Sequence, residues 1–152
     1  MKKVWGPNIW LFLHCFCDKI NNDFFMKNRN EVFNFIKNIM FNLPCPICSS
    51  YTRLKFKKVN FSRIKTKEDL KLLMFYYHND VNKKLKKNQK SVDILNTYKK
   101  YSIYKCYKNF LKHFNKKYKT RLTVYSQTYY INNNTEKLNV IKWWNNNYKL
   151  CF

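Results

Sequence analysis

A single glycine, Gly6, among 152 residues is the strongest constraint on what this chain can fold into. Hairpin turns, β-bulges and phosphate-cradling loops draw on glycine, because only a residue without Cβ enters left-handed backbone at no steric cost. Three prolines and no alanine complete a composition that argues against a turn-rich β-sandwich or a Gly-rich nucleotide fold. Helices joined by polar loops remain. With hydrophobic residues at 45% and aromatics at 19%, the chain can pack one real core.

Apolar spacing places the helices. Pro7 suits a first helical turn, where its missing N–H costs nothing, and Trp10, Leu13, His14 and Cys17 then form one stripe of a helix ending near Ile20. Asn21–Asp23 reads as a loop, and a second helix runs from about Asn30 to Phe41 on Val32, Phe33, Ile36, Ile39 and Met40. Leu43-Pro44-Cys45-Pro46 must break it, since a residue before proline avoids the α region; Pro46 then opens a third helix reaching about Lys57. Thr66-Lys67-Glu68-Asp69 is a capping box for a fourth, with Leu70, Leu73, Met74, Tyr77 and Val81 on one stripe and Phe75, His78, Asn82 and Leu85 on the next. Ser91 caps a fifth, carrying Ile94, Leu95, Tyr98 and Ser102. Beyond Lys100 the pattern weakens. Tyr101–Tyr118 extends a helix, Leu122–Ile131 is β-branched and aromatic enough for strand or irregular structure, Asn132–Asn134 reads as a loop, and Trp143-Trp144 folds back on the body.

The formal net charge of +23 would ordinarily point to nucleic acid or an anionic membrane. Yet 27 of the 31 basic residues are lysine, and Lys, Asn, Phe, Tyr and Ile are the residues AT-rich codons favour. Between Lys83 and Arg121 fourteen basic residues face one acid, Asp93, which reads first as a solvated basic face, so nucleic acid is not an expected partner. No signal peptide or membrane span is expected, because Ile9–Cys17 is short and contains His14. Six cysteines in a chain with no expected export signal suit redox or metal chemistry better than a secreted disulfide scaffold.

Cys45-Pro46-Ile47-Cys48 is the sharpest motif. Two cysteines three apart across a helix start can close a disulfide, and the helix N-terminus stabilises the first as a thiolate. Other readings of the motif stay open at this point. A zinc site needs a second ligand pair, for which Cys15-Phe16-Cys17 has the wrong spacing and Cys106 and Cys151 stand alone. A thioredoxin-like motif follows a strand, whereas helices flank this one. Two buried, inert cysteines are the bland reading.

Trp5-Gly6-Pro7-Asn8-Ile9-Trp10-Leu11-Phe12-Leu13-His14 precedes the motif, and His78-Asn79-Asp80-Val81-Asn82-Lys83-Lys84-Leu85 follows it. Together the three segments resemble the Erv/ALR family of FAD-linked sulfhydryl oxidases, in order and spacing, over about residues 4–99, and look most like the versions carried by large cytoplasmic DNA viruses. The resemblance implies an all-α four-helix bundle that binds FAD, a short fifth helix, and a homodimer. Residues 1–100 would be the oxidase domain and 101–152 a basic, aromatic C-terminal extension. It implies FAD contacts from Trp5, Gly6, Trp10 and His14, and from His78, Asn79, Val81, Asn82 and Leu85. Lys87 matches a basic position near the phosphates, and Tyr98 an aromatic that packs on the cofactor. The chain departs from the pattern at Leu43, where the family carries an aromatic, and at Phe75–Tyr77, where it carries a cysteine of a structural disulfide.

The implied reaction is a relay. A protein dithiol, thioredoxin-like substrates among them, attacks Cys45; Cys48 faces the flavin; oxygen is the final acceptor and hydrogen peroxide the product. Cys151 and Cys106 are the candidates for a shuttle thiol, the former as a mobile penultimate residue. Every motif precedes Lys100, so truncation there is expected to leave FAD binding intact. The expected location is cytoplasmic, in a host cytoplasm or virion for a viral chain. The rival class is a basic helical protein that binds nucleic acid or an assembly partner and keeps degenerate redox motifs.

Overall fold

The computed structural model describes residues 2–115 and 124–152, and among these every regular element is helical. In order they are α1 (Lys2–Lys19), α2 (Asn22–Lys27), α3 (Arg29–Phe41), α4 (Pro46–Phe56), a 3-10 turn (Phe61–Arg63), α5 (Lys67–Lys84), a second 3-10 segment (Val92–Lys100), α6 (Ile103–Phe114) and α7 (Val124–Cys151). No helix of the described residues is long and apolar enough to cross a membrane.

Local chemistry sets the boundaries. Cys45 stands in extended geometry at the N-cap of α4, with Pro46 following it. Thr66 and Asp69 exchange side-chain-to-backbone hydrogen bonds, as their capping-box spacing predicts. Asn21 departs from expectation: its side chain accepts from the Phe24 N–H and starts the short helix α2, so the polar run read as a loop is a capped turn. Ser91 caps its segment through Asp93, but the segment winds as a 3-10 helix, and Ser102 caps α6 instead of closing it.

α1 is the central helix. Phe12, Leu13, Phe16 and Ile20 are fully buried, and the Asp18 carboxylate ties α1 to Lys71 of α5 at 3.1 Å. α1 packs against α5 and the Val92–Lys100 segment on one side and α6 on another, while α7 packs on α3.

The C-terminal third differs most from its sequence reading. From Val124 the backbone is helical through Ile131 and through Asn132–Asn134, so neither a strand nor a loop forms there; Leu122 and Thr123, and the Lys116–Tyr118 end of the expected Tyr101–Tyr118 helix, lie outside the described residues. β-branched and aromatic residues report fit to a half-buried surface more than intrinsic backbone preference, and a long helix docked along its C-terminal half overrides them. Trp144 lies 3.9 Å from Tyr107 in a near-parallel stack and edge-on to Phe12 at 5.5 Å, and Trp143 stacks on Phe35 at 4.2 Å. Phe12 also stacks on Phe110 at 4.6 Å. These rings, with Phe114, Val140 and Cys151, belong to the same continuous core as α1 and α3. The division at Lys100 is therefore one of sequence resemblance, not of packing.

Candidate active site

The Cys45–Cys48 pair is closed as a disulfide, with Cα atoms 5.2 Å apart. The Cys48 N–H donates to Cys45 Sγ at 3.3 Å, which places that sulfur where α4 presents its unpaired N–H groups. Cys48 opens on the wall of a cleft of about 350 Å³, together with Trp5, Gly6, Trp10, Leu43, Tyr77, His78, Val81, Asn82, Leu85, Lys87 and Tyr98. A second cavity of about 370 Å³ shares His78, Asn82, Lys87 and Tyr98 with the first and adds His14 and Asn79. The two cavities thus meet across one set of side chains.

Helical spacing puts Trp10 and His14 one turn apart on α1, and His78 and Asn82 one turn apart on α5. The two helices bring their rings into register. Trp10 stacks on His78 at 3.9 Å and 4°, His14 stacks on Tyr98 at 4.6 Å and 14°, and His14 Nε2 shares a proton with His78 Nδ1 at 2.9 Å. His14 is only 3% exposed, and its Nδ1 has no hydrogen-bonding partner. Asn79 does something the motif did not foretell: its amide donates to the Lys90 carbonyl and accepts from the Lys90 N–H, both at 2.9 Å. It thereby holds the loop that carries Lys87 against α5. Within that loop Lys86 adopts a left-handed φ of 53° and the Lys87 N–H donates to the Asn82 carbonyl at 2.8 Å.

Burial, reinforced by the neighbouring His78, lowers the His14 pKa to about 3, and burial with the nearby Lys87 charge lowers that of His78 to about 4. Both rings are therefore neutral in the folded chain at neutral pH, one donating to the other. An unfolded histidine takes up its proton near pH 6.5, so the folded state forgoes protons that the unfolded state binds below that point. The stability this arrangement contributes is complete above about pH 6.5 and is lost as pH falls towards 4, on the order of 3 kcal/mol for His78 alone. The melting temperature should accordingly be flat above about pH 7 and fall steeply across that window. His78→Asn should flatten the fall, and an unchanged profile in that variant would remove the histidine pair as its cause.

Tyr51, Thr52 and Asp80 escaped the sequence reading as site residues, although the first two lie at helical spacing from Cys48. Tyr51 and Thr52 stand three and four residues after Cys48, so one helical face carries all three into the cleft. The Tyr51 hydroxyl donates to Asp80 at 2.5 Å, Lys55 pairs with the same carboxylate at 3.0 Å, and Lys84 sits 3.5 Å over the Tyr51 ring. Thr52 and Tyr77 hydroxyls bond at 2.6 Å, and Thr52 also donates to the Cys48 carbonyl. Asp80, inside the His78–Asn82 segment, thus joins Tyr77 in coupling α5 to α4.

The shuttle candidates do not fit their assigned role. Cys151, expected to be mobile, is fully buried at the end of α7, where its carbonyl accepts from the Asn21 N–H at 2.7 Å. Cys106 is 4% exposed and neighbours Cys15 in the seam between α1 and α6. Burial raises the thiol pKa of Cys151 to about 12 and pushes that of Cys106 upward. A buried, protonated thiol is a poor partner for disulfide exchange.

The residues fit a flavin dinucleotide. The lining is mostly apolar and aromatic, it includes two cations, Lys84 and Lys87, suited to phosphates, and a Cβ built on Gly6 would meet nothing within 4 Å beyond its chain neighbours and its own helix backbone, so the cleft has open room there. No solved structure matches the chain. Among curated proteins, a FAD-linked sulfhydryl oxidase of African swine fever virus is 30% identical over 83 residues, 55% of this chain and 69% of the viral protein. Protein 096R of Invertebrate iridescent virus 3 is 31% identical over 88 residues, 57% of this chain and 60% of its own length. The model of the Erv1 / Alr family matches residues 7–102, which hold the disulfide and every described cleft-lining residue except Trp5 and Gly6, and the chain belongs to that family.

Proposed function

We propose that this chain is a FAD-linked sulfhydryl oxidase that forms disulfide bonds in protein substrates through Cys45 and Cys48. One observation carries the reading. In a chain of the Erv1/Alr family, the second sulfur of a closed CxxC disulfide borders the same aromatic cleft as Trp10, His78, Asn82 and Lys87.

FAD would be held by Trp5, Gly6, Trp10 and His14 from α1 and by His78, Asn79, Val81, Asn82 and Leu85 from α5 and its end, with Lys87 near the phosphates and Tyr98 against the cofactor. Bound there, it would supply the two-electron acceptor for the reduced cysteine pair and the chemistry by which oxygen is reduced to hydrogen peroxide. The chain's own part is thiol–disulfide exchange. A substrate thiolate attacks Cys45 Sγ, a mixed disulfide forms, and Cys48 leaves as a thiolate at the cleft wall. The second substrate thiol, deprotonated, attacks the substrate sulfur of the mixed disulfide, so the substrate departs oxidised and Cys45 leaves as a thiolate. The α4 N-terminus favours that thiolate, because the Cys48 N–H already points at the Cys45 sulfur. The Trp10–His78 stack and the His14–Tyr98 stack keep the cleft rigid and dry, with two neutral imidazoles in place of charges.

The test is direct. Purified protein should be yellow, release FAD on denaturation at close to one per chain, and consume oxygen when given a dithiol. Colourless protein that cannot be reconstituted with FAD would overturn the reading.

A further inference from the structure

From the redox disulfide a stripe of exposed side chains runs outward along α4, starting at Ile47, which also lines the cleft. Ile47, between the two cysteines, is 75% exposed, and Leu54, two turns later on the same face, is 63% exposed. Lys58 continues that face past the helix end, flanked by Lys57 in helical geometry at the C-cap, and both are exposed. α4 contains no acidic residue, and the nearby carboxylate of Asp80 is already taken by Lys55 and Tyr51. The stripe is therefore apolar beside the disulfide and cationic at its far end.

We propose, building on the oxidase reading, that this stripe docks the protein substrate, and that it selects an extended segment with an apolar side chain near its cysteines and acidic side chains farther on. The spacing sets the register. The eleven residue steps from Ile47 to Lys58, at the helical rise, cover about 16 Å. An extended chain crosses that distance in about five residues, so the acidic pair belongs about five positions from the cysteine that attacks Cys45. Leu54 covers the apolar residue between, and Lys57 and Lys58 meet the acids. Attack at Cys45 forms the mixed disulfide and releases Cys48; the segment's second thiol then resolves it, with no reactant beyond those of the proposed reaction.

Two synthetic Cys-x-x-Cys peptides test this. Both carry a leucine about three residues after the second cysteine; one has two glutamates about five residues after that cysteine, the other two lysines there. Dithiothreitol serves as the small dithiol. The full-length protein should oxidise the acidic peptide with a kcat/KM at least about tenfold above the basic one, mainly through KM, and the gap should shrink as salt is raised. Lys57→Glu with Lys58→Glu should reverse the preference, and Leu54→Asp should lower kcat/KM for the acidic peptide by about tenfold. FAD content and dithiothreitol turnover should be unchanged in all variants, since none of these residues lines the cleft. Equal rates for the two peptides at low salt, a preference that neither variant alters, or a parallel loss of dithiothreitol turnover would each overturn the docking proposal. Wild-type protein that oxidises none of the three would overturn the oxidase reading, and the docking proposal with it.

Discussion

Cutting the chain after Lys100 is expected to yield insoluble or flavin-free protein without a cooperative melt. Tyr107, Phe110, Phe114 and Trp144 are each at most 5% exposed. Tyr107, Phe110 and Trp144 pack on Phe12, and Trp143 packs on Phe16 and Phe35; Phe12, Phe16 and Phe35 are all at most 1% exposed. At about 1.5–3 kcal/mol for each large apolar side chain taken out of water, four such rings contribute on the order of 10 kcal/mol. A whole domain is stable by only about 5–15 kcal/mol, so the loss is of the same size as the total. It falls on α1, the helix that carries Trp10 and His14. Soluble yield, FAD per chain and the circular-dichroism melt check it together. Soluble, yellow, cooperatively melting 1–100 protein would show that the extension is an appendage after all.

Cys45→Ser and Cys48→Ser should each lower dithiol oxidation to the rate of the free dithiol in air, while the protein stays folded and retains FAD. Neither sulfur anchors the core: both are partly exposed, and α4 is held through Ser49, Thr52 and Phe56 on its buried face. The two variants should differ in colour. Cys45→Ser leaves Cys48 alone on the cleft wall, where a thiolate beside the flavin gives a long-wavelength absorption band at neutral pH; Cys48→Ser should lack it. The band in the opposite variant would exchange the roles of the two cysteines.

The parts legible in the sequence were those in which local chemistry decides. The Thr66–Asp69 box, Pro46 after the Cys45 N-cap and the Trp10/His14 and His78/Asn82 spacings all act within one or two turns of chain. What stayed hidden depended on distant partners. Nothing near Asn79 announces that its amide would be spent on Lys90, and Tyr51 gains its meaning only from Asp80, 29 residues away. Cys151 looked mobile because it is penultimate, yet its burial depends on α7 lying along α3. The aromatic run after Leu122 carried β-type side chains, and only the docking of Val140 and Trp144 shows why a long helix forms there.

The place of α1 at the centre of the core carries a cost during synthesis. α1 is made well before α6 and α7, which pack on it, so the contacts that finish its burial join residues near 12–16 to residues near 107–152. At about 5–20 residues per second, the ribosome leaves Phe12 and Phe16 without their final cover for roughly ten seconds. Contacts so distant in sequence close slowly, because the intervening loop entropy must be lost before they form. A nascent chain in that interval presents an aromatic stripe to whatever is nearby, so its yield in the cell should track chaperone capacity and translation rate more closely than its final stability would suggest.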